Sequence, residues 1–443
     1  MLIVTLLASA LALVSVGWTL ERPRDATSLE PGSAFALGGA AATLPLLALA
    51  RVWPVSAPTL GAVAWTITLI SVAGLALRIY RLHVAVAPRI EAWRRSSWID
   101  RAAGVAAVIA FGLFVWKIAA VTVWSWDHFA IWGVKARQLA AHGLTLDFLA
   151  GPQIHSLRVD HPLGLPLLWA LLSAGHVPQA ASFKLAHVLM GGLLAVCFRD
   201  LACRLGAAGW AASLLTAVLC LSPLYYDTES LGLAEMPLAL WSCAALSWAM
   251  RSPSGRQALA CGLTLGFLPW LKQEGLPLAL LLLCVIGALL REPSRPRQRH
   301  DFIRIAASAL VLCAAAVAYQ RWVLPPEDGF LSGNLGERLI QRVGAVPELL
   351  RLALDELLAW DWLGFWVALG AGTGWAIWRR SRTARALAAA VWIQSALYLA
   401  ACYASWAPTA AEQLHAAFFR TCAALVPLGL LALAALGGDR KAR

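Results

Sequence analysis

Five groups of ionisable residues break up an otherwise apolar chain, and their side-chain types suit chemistry on a phosphate-linked group. The first lies in Trp124-Ser-Trp-Asp-His-Phe-Ala-Ile-Trp-Gly-Val-Lys-Ala-Arg137, which supplies Asp127, His128, Lys135 and Arg137 directly after an apolar run. The second is Arg158-Val-Asp160-His161-Pro162. The third joins Tyr225-Tyr226-Asp227-Thr228-Glu229 to Ala234-Glu235-Met236-Pro237. The fourth is Lys272-Gln273-Glu274-Gly275, and the fifth is Glu412-Gln413-Leu414-His415 running on to Arg420. A carboxylate in a partly dry pocket can take the proton of an attacking hydroxyl. Lysine and arginine can neutralise a departing phosphate.

Plainer roles are open to each group. Asp160-His161-Pro162 has the make-up of a turn and helix cap. Glu235 suits the positive end of a helix dipole. Lys272 and Glu274 can pair across a hairpin tip. Arg420 is harder to set aside, because an arginine within a span costs on the order of 2.5–3.5 kcal/mol unless it is paired or faces water. Lys117 and His187 also fall in apolar runs and are read as structural. Read as a helix, the first stretch puts Phe129, Trp132 and Ala136 on one face and Asp127, Ile131, Val134 and Lys135 along another. It is expected to lie along the membrane surface, anchored by its tryptophans, with its cations at headgroup level.

The elements that must position these groups are membrane helices. The chain has 443 residues, 60% of them hydrophobic and 14% charged, with a mean hydropathy of +0.69. That balance excludes a soluble globular protein of this size and indicates an all-α polytopic membrane protein. Spans are expected near 2–20, 35–53, 56–78, 103–124, 179–198, 206–224, 231–250, 257–272, 275–290, 303–323, 358–378, 386–404 and 418–436. Each is close to the ~20 residues that cross ~30 Å of hydrocarbon, for about thirteen transmembrane helices in a range of about 11–13. Residues 1–102 then form N-terminal transmembrane helices with a basic loop, 103–437 a transmembrane catalytic unit, and 438–443 a tail. The first run lacks a basic start and a clean cleavage site, so it is read as a span, with a signal peptide as the alternative.

Arginines concentrate in alternate loops, at 78–101, 199–204, 251–256, 291–304, 379–385 and 440–443. The positive-inside rule places those loops and the C-terminus in the cytoplasm and Asp127 on the periplasmic or extracellular face. The net charge of +12 is explained by these loops, not by nucleic acid. The run 162–176 is apolar but short and interrupted by Pro162, Gly164 and Pro166, which fits a re-entrant or interfacial segment. It closes one long outer loop, 125–178. A second outer loop, 324–357, carries an amphipathic helix over 337–354. The nine cysteines sit in apolar runs without ligand spacing and read as small core side chains.

Several motifs resemble the GT-C type of membrane glycosyltransferase, in particular the bacterial branch similar to glycosyltransferase family 39. They are Trp126-Asp127 with Trp132 and Lys135-Ala136; Asp160-His161-Pro162-Leu-Gly-Leu-Pro166; Ala234-Glu235-Met-Pro237-Leu238-Ala239; Lys272-Gln-Glu274-Gly275; and Gln413-Leu414-His415 with Arg420 and Pro427. Together they run from about residue 103 to 430. The resemblance implies a polyprenyl-phosphate-linked sugar as donor, transfer at the outer face of the bacterial inner membrane, and inversion at the anomeric carbon. The family's catalytic aspartate maps onto Asp127. Many members carry a second acid next to it, where this chain has His128.

On this reading Asp127 is the catalytic base. Lys135, Arg158, Asp160, His161, Glu235, Lys272, Glu274, His415 and Arg420 bind donor or acceptor. The acceptor is a glycan, lipid or protein. No cofactor is expected and no metal-binding residues are assigned, with divalent-metal dependence left open by His128. The rival readings are a flippase or transporter for lipid-linked sugars and an O-antigen-type polymerase or ligase.

Overall fold

The computed structural model describes residues 8–14, 16, 31–50, 54–66, 69, 96–121, 128–144, 161–173, 176–226, 234–251, 255–290, 297–323, 335–404 and 410–437. These residues form an all-helical structure. Among them there is no strand, only a single bridge in which Val55 and Leu144 exchange backbone hydrogen bonds of 3.0 and 2.6 Å.

Helix α1 (Pro31–Leu49) opens on a proline, whose fixed φ suits a first helical turn. Helix α2 (Trp98–Ala120) is capped by Ser97, whose hydroxyl accepts the Asp100 N–H at 3.1 Å. Two short helices follow, α3 (Gly133–His142) and α4 (Gly164–Leu172). Next come α5 (Ala180–Arg204), α6 (Gly209–Leu221) and α7 (Glu235–Met250). A tight hairpin is made by α8 (Gly255–Gly266), the single turn α9 (Leu268–Leu271) and α10 (Gly275–Leu290). The rest is α11 (Arg297–Trp322), α12 (Val346–Leu357), α13 (Phe365–Trp378), α14 (Arg382–Ala404), α15 (Phe419–Ala423) and α16 (Val426–Ala435).

Among the described residues five helices are long and apolar enough to cross a membrane: α1, α2, α5, Arg299–Trp322 within α11, and α14. Gly209–Leu221, Gly275–Leu290 and Phe419–Ala435 are shorter apolar helices. Several expected spans are shortened for local reasons. The segment 358–378 becomes helical only at Phe365, because Leu363 (φ 51°) and Gly364 (φ 73°) turn the backbone left-handed just before it. The segment 418–436 is broken at Ala424 and Leu425, ahead of Pro427. The hairpin tip expected at Gln273-Glu274 is present as a turn closed by Gly275 N–H to Lys272 C=O at 2.9 Å. The outer-loop helix expected over 337–354 is interrupted. It divides into Leu335–Gln341, a tighter turn at Val343–Ala345, and α12. The expected spans 2–20 and 56–78 are described only at 8–14 and 16, and at 57–66 and 69.

Helix α7 is the centre of the bundle. Every residue from Glu235 to Ala249 is buried. It packs against α1, α5, α8, α10 and α16. An all-round apolar helix of this kind has no polar face to turn to water and is enclosed by its neighbours. Close approach relies on small residues, as in membrane bundles generally. Gly39 of α1 lies where a β-carbon would come within 2.9 Å of the Trp241 ring of α7. By contrast α2 buries only Ala103, Ala110, Phe114 and Ile118, leaving Val105, Val108, Ile109, Leu113 and Trp116 exposed. An apolar exposed face on a span-length helix is suited to lipid, not water.

Two sequence-based expectations are corrected here. Helix α3 does not display its cations outward: Gly133, Lys135, Ala136, Leu139 and Ala140 are buried and the helix packs on α4. Helix α4, expected as a re-entrant or interfacial segment, has all nine of its residues buried, which goes against the interfacial alternative alone. The buried positions Ile131, Trp132, Lys135, Ala136, Leu139 and Ala140 follow the i, i+3, i+4 spacing of one helix face, so Lys135 turns inward with Trp132 and Ala136. Lys117 and His187 have the structural surroundings expected of them. Lys117 Nζ sits 4.1 Å from the centroid of the Tyr226 ring, and the His187 ring packs 6.0 Å from Phe114.

Candidate functional site

Glu235 is the first residue of α7, following Ala234 as helix cap. Its carboxylate therefore sits at the positive end of the helix dipole. It is 2% exposed. The chain reverses after α9 with Lys272 in an extended conformation (φ −156°, ψ 147°), and this breaks the helix and turns the ammonium back toward α7. Lys272 Nζ donates to Glu235 Oε1 at 2.7 Å and lies 3.3 Å from Glu274 Oε1. Arg420 of α15 reaches the same Glu235 oxygen from the far end of the chain, with Nε 3.8 Å away. Two cations and two carboxylates from three distant segments thus form one cluster. Glu274 and Arg420 make its open side, with 35% and 21% of their side chains exposed.

The turn carrying Lys272 and Glu274 is braced from both sides. Trp270 Nε1 donates to the Leu312 carbonyl at 3.2 Å, and Gln320 Nε2 donates to the Pro269 carbonyl at 3.2 Å, both from α11. On the other side Gly164 lies against the Trp270 backbone, where a β-carbon would come within 2.9 Å of the Trp270 carbonyl carbon. Only glycine allows the turn at His161 to approach the hairpin this closely. Lys135 fixes that turn from behind: it is fully buried, and its Nζ donates to the His161 carbonyl at 3.0 Å. The His161 ring meets the Trp132 ring edge-on at 5.3 Å.

Electrostatics follow from this packing. Burial acts to push the Glu274 carboxyl up, but the Lys272 ammonium, a backbone N–H and the nearby His161 together hold it below the usual glutamate value. With a third of the side chain still open to solvent, the charge pairing is the stronger influence. Glu235 Oε1 serves the cations, while Oε2 is buried with no hydrogen-bond partner among the described residues.

Helix α14 contributes residues that the sequence motifs did not include. Gln394 Nε2 donates to the Glu274 carbonyl at 3.5 Å, and Tyr398, one turn further on, lies within electrostatic reach of both Glu274 and Glu235. Gln394, Ser395 and Tyr398 share one buried face of an apolar span. A glutamine in the middle of such a span is the signal that could have found them.

Of the residues assigned from sequence, the structure brings Glu235, Lys272, Glu274 and Arg420 together, with His161 beside Glu274 and Lys135 behind His161. Asp127, Arg158 and Asp160 lie outside the described residues. His415 falls in the π-turn Leu414–Phe418 before Arg420, and its side chain too is outside the description. Among the described residues no group of three or more His, Cys, Asp or Glu is placed to hold a metal ion. Comparison with protein-family models, with curated proteins and with solved structures returned no match.

Proposed function

We propose that this chain is an integral membrane glycosyltransferase. It moves a sugar from a polyprenyl-phosphate donor to a glycan, lipid or protein acceptor at the outer face of a bacterial inner membrane. The full bundle has about thirteen spans with the C-terminus in the cytoplasm. Asp127 takes the acceptor proton, the acceptor oxygen bonds to the anomeric carbon with inversion, and the bond from that carbon to the phosphate oxygen breaks. Polyprenyl phosphate leaves carrying the negative charge. Arg420 and Lys272 neutralise that charge, while Glu235 and Glu274 hold the two cations and face the sugar. Lys135 acts indirectly, by fixing the turn at His161.

The observation that carries this reading is the convergence of Glu235, Lys272, Glu274 and Arg420 into one partly open cluster. Those four residues belong to sequence motifs spread from about residue 234 to 420. A carrier of lipid-linked sugars without chemistry is the second reading. It is favoured by the balance of two cations against two carboxylates, which could open and close as a gate.

The test uses the protein in nanodiscs with a radiolabelled polyprenyl-phosphate hexose and a membrane extract as acceptor source. Transfer with release of polyprenyl phosphate is expected, lost in Asp127→Asn and strongly reduced in Arg420→Ala. Movement of the intact lipid-linked sugar across vesicles, with no release of polyprenyl phosphate, would overturn the enzymatic reading. Transfer by Asp127→Asn at the parent rate would remove Asp127 from the mechanism.

A further inference from the structure

Two buried acceptor atoms in the cluster, Glu235 Oε2 and Gln394 Oε1, receive no hydrogen bond from the described residues. Both side chains are buried, at 2% and 0% exposure. The orientation of the Gln394 amide is set by its neighbour. Its nitrogen faces the Glu274 carbonyl, so turning the amide over would place two acceptors against each other. Its oxygen is left pointing elsewhere without a partner. The two atoms belong to one structure, since Gln394 donates to the Glu274 carbonyl and Glu235 shares Lys272 with the Glu274 carboxylate.

A buried acceptor left unpaired is costly, and native structures fill such places with a donor. Carboxylate and amide oxygens accept only, so the missing partner must carry O–H or N–H groups. A fully ionised phosphate has no such group and would go to Lys272 and Arg420. The site therefore asks for a ligand with two distinct parts, an anionic group beside the cations and a hydroxyl-bearing group beside Glu235 and Gln394.

We infer that Glu235 Oε2 and Gln394 Oε1 accept hydrogen bonds from the hydroxyl groups of a neutral sugar, making Gln394 of α14 a sugar-recognition residue of the same site. The inference rests on the proposed function for the identity of the anionic part. It adds the location of the sugar and a residue that no motif contained. Replacing an acceptor that receives one neutral hydrogen bond should weaken the sugar-bearing ligand about three- to tenfold. It should leave the phosphate-only ligand unaffected.

The test measures binding of two probes to detergent-solubilised protein: undecaprenyl phosphate, and the same lipid carrying glucose, galactose or mannose. In the parent protein at least one hexose-bearing lipid should bind more tightly than the bare one. In Gln394→Met that advantage should fall about three- to tenfold while bare-lipid affinity stays at the parent value. The unchanged affinity also reports that the variant is folded. A second variant, Gln394→Asn, keeps the amide but shortens it, and should lose part of the same advantage. Equal binding of bare and sugar-bearing lipids by the parent protein would overturn the inference. So would a Gln394→Met variant that keeps the full advantage, as expected if only a water occupied the space. A parent protein that binds neither probe would refute the proposed function itself.

Discussion

Lys272→Met tests whether the cluster is a tightly coupled buried unit. At 2.7 Å and an effective dielectric of about 20, the attraction between Lys272 and Glu235 is about 6 kcal/mol before desolvation is counted. Much of that is cancelled by taking both charges out of water, so the net worth of the pair is far smaller. Removing one partner is different, because Glu235 is left charged and buried; such changes cost about 3–5 kcal/mol. Arg420 stays 3.8 Å from the same oxygen and softens the loss, so the low end of that range applies, about 3 kcal/mol. Glu274 contributes little to this figure, since a pair with an exposed member is worth about 0.2–1 kcal/mol. The assay is reversible unfolding in mixed micelles, followed by tryptophan fluorescence, for Lys272→Met, Glu235→Gln and the double variant. The double variant should be less destabilised than the sum of the singles, by about 2–3 kcal/mol. Strict additivity, or single-variant effects below about 0.5 kcal/mol, would refute the coupling and with it the buried character of the cluster.

Gly164→Ala should push the turn at His161 away from the Trp270 backbone. It should destabilise the protein by about 1–3 kcal/mol in the same unfolding assay and weaken lipid-phosphate binding, because two walls of the site part. Parent-like stability would show that the two segments are not in contact. The Glu274 carboxyl is held below its ordinary value, so its pairing stabilises the folded state above the unfolded pKa of about 4.3 and is lost as pH falls through the lower folded value. The difference in melting temperature between parent and Glu274→Gln should thus be constant from about pH 7 to 5 and shrink below about pH 4. A difference that grows on acidification would reverse the sign and reject the assignment.

Much of the site was legible because its residues are chemically expensive where they stand. Arg420 in an apolar segment is costly unless it is paired or faces water, and Glu235 at a helix start suits a cap or a site, so both stand out in the sequence. Lys272 and Glu274 lie at the two-residue gap Gln273-Glu274 between apolar runs, which is a hairpin tip on composition alone, and the turn is there. What was not legible depends on contacts between distant segments and on local departures from ideal helix geometry. The burial of Lys135 was not legible because its ammonium has a partner, the His161 carbonyl, that lies in another segment of the chain. The late start of α13 turns on Leu363 adopting φ 51°, for which leucine gives no warning, although Gly364 beside it does. Gln394 escaped notice because it belongs to no cluster along the chain. It joins the site only through the packing of α14 on α10.

The placement of Glu235 at the head of an enclosed helix bears on how the protein is made. Its first counter-ion, Lys272, is synthesised soon after it, but Arg420 follows much later in the chain. Until α15 joins the bundle, the newborn chain holds this buried acid with one of its two cations missing. Premature termination anywhere before residue 420 would leave that defect in place. The arrival of α15 thus completes a charge balance that begins at the head of α7.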